Sequence, residues 1–355
     1  MAGFFEMAKR KKLSESFRER AFPAAALMGA FSSFVASLFR PAPARSQSRR
    51  DAALVQIGIP VQSAAAPTKT SFPLEYSQVL VLGASTSAYP FHRSLSGIAV
   101  DSSDRIYALG DGEIRVFEPG GSLIWNWKVP DQALCLAVGG GERVYIGLPG
   151  RIEIYNPYGT RLGGFAVGEA NRPANVTSIK IYGREILAAD STARYIRRCD
   201  ANGSQIGAIG IRGKAQGFML PNRSLDIDVD SKGVVRATDS GRHRVSSWTM
   251  DGTPVGYFGK FGLASPEDFV GCCNPVNLAI APNGNIVTAE KVAARVKVYA
   301  PDGKLLALIG PEHFDLKCSH LHLAVDSRGL ILVADPVSLM VKVFSVEGPG
   351  GSRKL

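Results

Sequence analysis

The feature that most constrains this chain is an internal repeat. A short apolar strand ending in a turn recurs, as Ile98-Ala-Val-Asp near the beginning and Leu323-Ala-Val-Asp near the end. The six copies begin at residues 98, 136, 179, 227, 278 and 323, so their spacing runs from 38 to 51 residues. After each copy come a turn rich in Asp, Asn and Gly, a second apolar strand, and a third strand in which apolar residues alternate, as in Val296-Lys-Val-Tyr. Such a period, built from short strands, indicates a radial array of small sheets.

The repeat predicts an all-β, six-bladed β-propeller with four-stranded blades, behind a mostly helical or disordered leader. One small sheet cannot bury both of its faces, whereas six sheets around an axis bury each other's faces and leave only short edges. A ring of this kind must be closed by joining its two ends. The strand-like segment 76–83 precedes the first complete unit, and we predict that it closes the ring as the outer strand of the last blade.

Two further segments carry a family resemblance. Ser240-Gly-Arg-His-Arg-Val is similar to the third strand of NHL repeats, and Pro301-Asp-Gly-Lys-Leu-Leu is typical of the turn that follows it. The resemblance covers about residues 75–345 and implies the propeller fold. NHL relatives include RNA- or protein-binding domains, signalling proteins and a few enzymes such as peptidyl-hydroxyglycine lyase, so it implies no single function. Gly271-Cys-Cys-Asn-Pro resembles a group of bacterial exported NHL-repeat proteins of unassigned function.

The charge of the chain is concentrated in its N-terminal part. The formal net charge is +10, and residues 1–50 contain ten Lys or Arg against three Glu, which leaves +3 for the rest. A nearly neutral propeller argues against nucleic acid as a partner. A basic head before an apolar stretch indicates membrane targeting, with the propeller outside the cytoplasm, periplasmic or secreted. The predicted organisation is a basic cytoplasmic head (1–20), a signal or membrane-anchor segment (21–39), a flexible linker (40–72), the propeller (73–347) and a disordered tail (348–355).

The five cysteines do not form a disulfide framework, because their number is odd and the chain is long enough to bury a core. Cys135 and Cys199 are interpreted as buried structural thiols. When the repeats are aligned, counting back eight positions from the first turn gives Cys273, Cys318, Asn222 and Arg93. Because this part of a propeller borders the mouth of the central channel, we expect ligand contacts there from Arg93, His92 and Asn222.

The same alignment suggests a metal site. His320 and His322 lie two residues apart, hence on one face of an extended segment. Cys and His side chains suit a thiophilic metal such as zinc or copper. The candidate ligands are Cys272, Cys273, Cys318, His320 and His322. A Cys272–Cys318 or Cys273–Cys318 disulfide is the alternative, and adjacent cysteines chelate less well than a Cys-x-x-Cys pair.

The aspartates of the first turn, Asp101, Asp230 and Asp326, recur in three blades and are interpreted as turn residues that bind their own backbone rather than as catalytic acids. With no catalytic motif recognised, we favour a scaffold that binds a protein partner or small ligand at the channel face, within a membrane redox assembly and tethered through 21–39 where that segment is retained. The alternative is a metal-dependent lyase or hydrolase that uses the Cys/His mouth.

Overall fold

The structure is a computed structural model and describes residues 71–211, 217–315, 317 and 320–347. The predictions for the head, the membrane segment, the tail and all but the last two residues of the linker lie outside the described residues, as does Cys318. Within the described residues, no helix is long and apolar enough to cross a membrane.

The described residues form six four-stranded antiparallel sheets, each with its strands in chain order from the channel outwards except at the closure. Strand β1 (Tyr76–Leu82) precedes blade I, which contains β2 (Leu95–Val100), β3 (Ile106–Gly110), β4 (Glu113–Phe117) and β5 (Leu123–Lys128). Blade II contains β6 (Cys135–Gly139), β7 (Arg143–Leu148), β8 (Arg151–Tyr155) and β9 (Arg161–Ala166), and a hairpin of β10 (Gly168–Glu169) and β11 (Arg172–Pro173) follows it. Blade III contains β12 (Val176–Tyr182), β13 (Glu185–Asp190), β14 (Tyr195–Cys199) and β15 (Gln205–Ile209).

The second half of the ring repeats this order. Blade IV contains β16 (Ile227–Val229), β17 (Val235–Asp239), β18 (Arg244–Trp248) and β19 (Pro254–Phe258). Blade V contains β20 (Asn277–Ile280), β21 (Ile286–Glu290), β22 (Arg295–Tyr299) and β23 (Leu305–Ile309). Blade VI contains β24 (His322–Val325), β25 (Ile331–Asp335), β26 (Met340–Val346) and β1. Two 3₁₀ turns, Ser240–Arg242 and Pro311–His313, are the helical elements of the described residues.

The ring closes through β1, as the sequence predicts. Strand β1 pairs antiparallel with β26, with Tyr76 opposite Val346 and Leu82 opposite Val341. A second link joins blades VI and I, because the Ser327 hydroxyl donates to Asp104 Oδ2 over 2.7 Å. The innermost strands β2, β6, β12, β16, β20 and β24 each contact the next around the ring. The fold is therefore the predicted six-bladed β-propeller with a central channel.

Apolar side chains fill the spaces between neighbouring blades. Six buried clusters occupy the six junctions; for example, Tyr107 and Leu109 of blade I pack with Val144 and Ile146 of blade II. Each strand contributes side chains to both faces of its blade, since successive side chains point to opposite sides of a sheet. Most of the hydrophobic stabilisation therefore lies between blades, which leaves the channel free to carry polar groups.

The first-turn aspartates act as interpreted. Asp230 Oδ1 accepts the backbone N–H groups of Lys232 and Val234, and Asp101 and Asp326 make the equivalent pairs of hydrogen bonds in their own turns. Their carboxylates thus hold the turn on the face of the ring opposite the channel mouth.

Candidate functional site

The channel mouth is the opening at which the chain enters the six innermost strands. A small cavity of about 40 Å³ lies just inside it, and every blade contributes to its lining. The polar side chains around it are Ser96, Thr177, Ser178, Lys180, Asp226, Asn277 and His322. A second cavity of about 140 Å³ lies further along the same strands, where Lys180 Nζ is 3.3 Å from Asp228 Oδ2.

Polar side chains of the channel tie one innermost strand to the next. Asp226 Oδ2 accepts the N–H of Leu278 over 2.7 Å, and Asn277 Oδ1 accepts the N–H of Leu323 over 3.0 Å. Burial raises the pKa of Asp226 to about 6, although the Leu278 N–H and the Lys180 ammonium act in the opposite direction. The mouth is therefore held in a fixed shape by bonds between blades IV, V and VI.

The two histidines of the predicted site meet at this mouth. The ring centroids of His320 and His322 are 5.4 Å apart, and His320 Nε2 lies 3.2 Å from the hydroxyl oxygen of Ser224 on the segment that leads into blade IV. Burial lowers the pKa of His320 to about 4 and that of His322 to about 3, with smaller contributions from Lys291 and from His320, respectively. Both imidazoles are therefore neutral near pH 7 and can each offer one hydrogen-bond donor and one acceptor.

The two adjacent cysteines sit on a firmly anchored turn. Cys272 is exposed, Cys273 is buried, and their sulfur atoms are 3.2 Å apart. The buried Asn274 fixes the turn, because its side chain donates to the carbonyls of Val270 and Lys291 and accepts the N–H of Lys291.

The positive charge of Lys291 acts on both the thiols and the histidines. It lowers the pKa of Cys273, against the larger effect of burial, and it lowers the pKa of His320. The hydrogen bond from Cys273, followed by the charge of Lys291, lowers the pKa of Cys272, whereas burial raises that of Cys273. The exposed sulfur is therefore the one that is more readily ionised.

The predicted metal site is only partly described. Within the described residues, no three Cys, His, Asp or Glu side chains are grouped as a metal centre. Cys318, which would complete the predicted ligand set with Cys272, Cys273, His320 and His322, lies outside those residues. The metal site stays a prediction, and the positive charge of Lys291 acts against it because that charge repels a cation.

The predicted ligand contacts occupy different surroundings. His92 and Arg93 are exposed, and their backbone N–H groups donate to the Asp111 carboxylate, while Arg93 Nη2 donates to the Asp111 carbonyl over 3.0 Å. These bonds fix Arg93 against blade I. Asn222 lies two residues before Ser224, whose backbone N–H it accepts at Oδ1. The same oxygen accepts from Ser240, and Asn222 Nδ2 is buried without a hydrogen-bond partner among the described residues. Ligand binding by the three remains a prediction.

Lys291, Ser224 and the channel aspartates were not predicted from the sequence. Asp226 and Asp228 do carry a recognisable pattern, because they alternate with apolar residues in a segment that is otherwise a buried strand. The sequence signal for Lys291 is weaker: it is a charged residue directly after Glu290, the last residue of β21.

Comparisons with known proteins address the fold. No protein-family model matches the chain, and no curated protein matches it in sequence. Among solved structures, a streptogramin B lyase is similar with a TM-score of 0.53 and 11% identity over 78% of this chain and 98% of that one. The virginiamycin B lyase of Staphylococcus aureus gives a TM-score of 0.51 and 11% identity over 76% and 99%, and the WD40 propeller domain of Doa1 gives 0.50 and 16% over 71% and 78%. At such identities the similarity extends to the architecture alone, and by that architecture the chain is a β-propeller.

Proposed function

We propose that the chain is an NHL-type propeller that serves as a binding scaffold and holds a polar ligand group, or a polar segment of a partner protein, at its channel mouth. The observation that carries this proposal is the convergence of polar side chains from five of the six blades on one cavity, beside two neutral imidazoles. Polar groups converging on a concavity are typical of a binding site. The repeat motifs of the sequence support the NHL assignment.

The charges at the mouth favour a neutral or anionic group. The positive charge of Lys291 is near enough to lower the pKa of His320, and the imidazoles and the Ser224 hydroxyl can donate hydrogen bonds without adding charge. The buried Asn222 Nδ2 is a further donor without a partner among the described residues. A buried donor left unpaired costs about 1–3 kcal/mol, so a ligand or an ordered water is expected nearby.

The proposal can be tested on the histidine signals of the full-length protein. We would record NMR spectra of histidine-labelled protein in mild detergent at pH 7 while adding acetate or succinate, with signals assigned by single His→Gln variants. The signals of His320 and His322 should shift saturably, whereas that of His243, which packs on the ring of Phe261, should not. Lys291→Met should weaken the effect, and Lys232→Met, at an exposed lysine in a turn of blade IV, should not. Equal shifts of all histidines, or none at the mouth, would contradict the proposal.

A second candidate is a metal-dependent lyase or hydrolase. The pairing of two imidazoles at the mouth and of two thiols on a nearby turn of the chain favours it, since a bound metal could polarise a carbonyl or a water molecule. Elemental analysis and an absorption spectrum of protein purified without chelator or reductant separate the two candidates. A near-stoichiometric metal that is lost in Cys273→Ser would favour the enzyme, and metal-free protein that still shows the ligand-dependent shifts would favour the scaffold.

We also propose that the scaffold acts outside the cytoplasm, within a membrane redox assembly. The basic head and the apolar segment 21–39 support export, with tethering where that segment is retained. Protease added to intact cells with a permeabilised outer envelope should digest the propeller while a cytoplasmic marker survives. A propeller protected until the cytoplasmic membrane is lysed would exclude this location.

A further inference from the structure

The turn that carries Cys272 and Cys273 has features that ligand binding at the mouth does not require. Its two sulfur atoms are in contact at 3.2 Å, yet one residue is exposed and the other is buried. Asn274 locks the turn to Val270 and Lys291. An exposed thiol backed by a second thiol is the arrangement required for two-step thiol–disulfide exchange.

We propose that Cys272 and Cys273 form a redox-active dithiol that exchanges with small-molecule disulfides and closes to a bond between the two adjacent residues. This inference is independent of the ligand proposed above, because it concerns the turn itself. It also differs from a disulfide to Cys318, since the partner of each cysteine is its neighbour in the chain.

The exchange proceeds in two balanced steps. The Cys272 thiolate attacks one sulfur of a disulfide RSSR, forms a mixed disulfide and releases RS⁻. Cys273 then loses its proton to solvent and attacks the Cys272 sulfur, which forms the Cys272–Cys273 bond and releases the second RS⁻. Two electrons pass from the cysteine pair to RSSR, so two protein thiols are consumed and two small thiols are formed.

The positions of the two sulfurs assign the roles. Cys272 is the attacking residue because a disulfide can reach it, and Cys273 is the resolving residue because it is buried but already in contact with Cys272. Asn274 keeps the two sulfurs in place, because its side chain bonds Val270 and Lys291 on either side of the turn.

The product bond is strained by its position in the chain. Disulfides normally join Cα atoms about 4.4–6.8 Å apart, whereas neighbouring Cα atoms are about 3.8 Å apart across a trans peptide. Strain makes a disulfide easier to reduce, and strained or exposed disulfides are the labile ones. The pair should therefore oxidise reversibly and return to the dithiol when small thiols are in excess.

The test uses the full-length protein and oxidised glutathione as the probe. The protein is first reduced with glutathione, the glutathione is removed, and oxidised glutathione is added. At intervals, free thiols are blocked with an alkylating agent and the peptides are analysed by mass spectrometry. Wild type should release two glutathione molecules per chain, lose two hydrogens from the peptide that contains both cysteines, and revert with excess reduced glutathione. The buried Cys135 and Cys199 serve as internal references that stay reduced.

Three variants separate the proposed reaction from the alternatives. Cys273→Ser should stop at a stable glutathione adduct on Cys272, and Cys272→Ser should lower the initial rate by about tenfold or more. Cys318→Ser should leave formation of the Cys272–Cys273 bond unchanged. A bond from either cysteine to Cys318, or wild-type protein that retains glutathione on Cys272, would overturn the proposal. Circular dichroism of each variant verifies that the ring has remained folded.

Discussion

The two mouth histidines should make the protein sensitive to acid. Free imidazoles bind protons below about pH 6.5. In the folded protein, burial lowers the pKa of His320 to about 4 and that of His322 to about 3. At pH values between the free and the folded pKa, the unfolded chain binds more protons than the folded one. The free energy of unfolding must therefore fall as the pH falls.

The size of the effect follows from the shifts. A pH of 5.0 is about 1.5 units below the pKa of an imidazole in the unfolded chain, so the unfolded imidazoles are protonated while the folded ones are still neutral. The resulting loss in the free energy of unfolding is at most about 2 kcal/mol for each histidine. Both side chains are half-buried at a channel that water can enter, so solvent screening reduces this figure. We expect a combined loss of about 2 kcal/mol between pH 7.5 and pH 5.0.

Urea unfolding of wild type and of the double variant His320→Gln, His322→Gln, each at pH 7.5 and pH 5.0, measures this loss. The double variant should lose about 2 kcal/mol less than wild type on acidification. The difference isolates the histidines, because other titrating groups such as Asp226 are present in both proteins. His92→Gln, at an exposed position, should behave as wild type. Identical pH dependence of wild type and double variant would refute the assignment of low pKa values to this pair.

Three further results are expected. Lys297→Met should lower the free energy of unfolding by about 3 kcal/mol in urea, because Lys297 and Glu290 are fully buried and joined over 2.7 Å, and the carboxylate would lose one of its partners. Leu82→Ala, at a 3% exposed position on the closing strand, should cost about 3 kcal/mol by the same assay, whereas Val346→Ala, at an exposed position on the strand it pairs with, should cost much less. Asp226→Asn should steepen the loss of stability between pH 6 and pH 4, because a carboxyl whose folded pKa is raised to about 6 gains protons on acidification and so stabilises the fold there.

The fold could be predicted because its determinants are local and repeated. Each blade repeats an alternating strand, and three of the six add a turn aspartate whose hydrogen bonds lie within four residues, as Asp230 makes to Lys232 and Val234. The closing strand followed from counting, since a ring with a spare strand at its beginning has one place for it. The repeated strands and turns form without long-range contacts, so the repeat in the sequence was sufficient to predict the fold.

The mouth was predicted only in part because its members come from different loops. Alignment of the repeats indicated the segments of Cys273 and His320, since matched positions in neighbouring blades lie at the same end of the channel. Lys291 lies in a turn between the second and third strands of blade V, and Ser224 leads into blade IV. Their approach to the thiols and to His320 depends on how loops fold over the ring, which no periodicity records. For Arg93 the repeat alignment gave the position in the blade but not its contacts, since the Asp111 carboxylate holds the segment of Arg93 against blade I.

The buried charges of blade V connect the stability of the ring to the reactivity of its mouth. Glu290 ends β21 with its carboxylate paired to Lys297 and Arg295, and its second oxygen accepts the N–H of Val270, two residues before Cys272. The next residue, Lys291, donates its backbone N–H to Asn274 and accepts a hydrogen bond from the Asn274 side chain at its carbonyl. One buried cluster thus fixes the two sides of the turn on which the thiols sit. Because removing one partner of a buried pair leaves the other uncompensated, the position of the thiols rests on the same contacts that stabilise the blade.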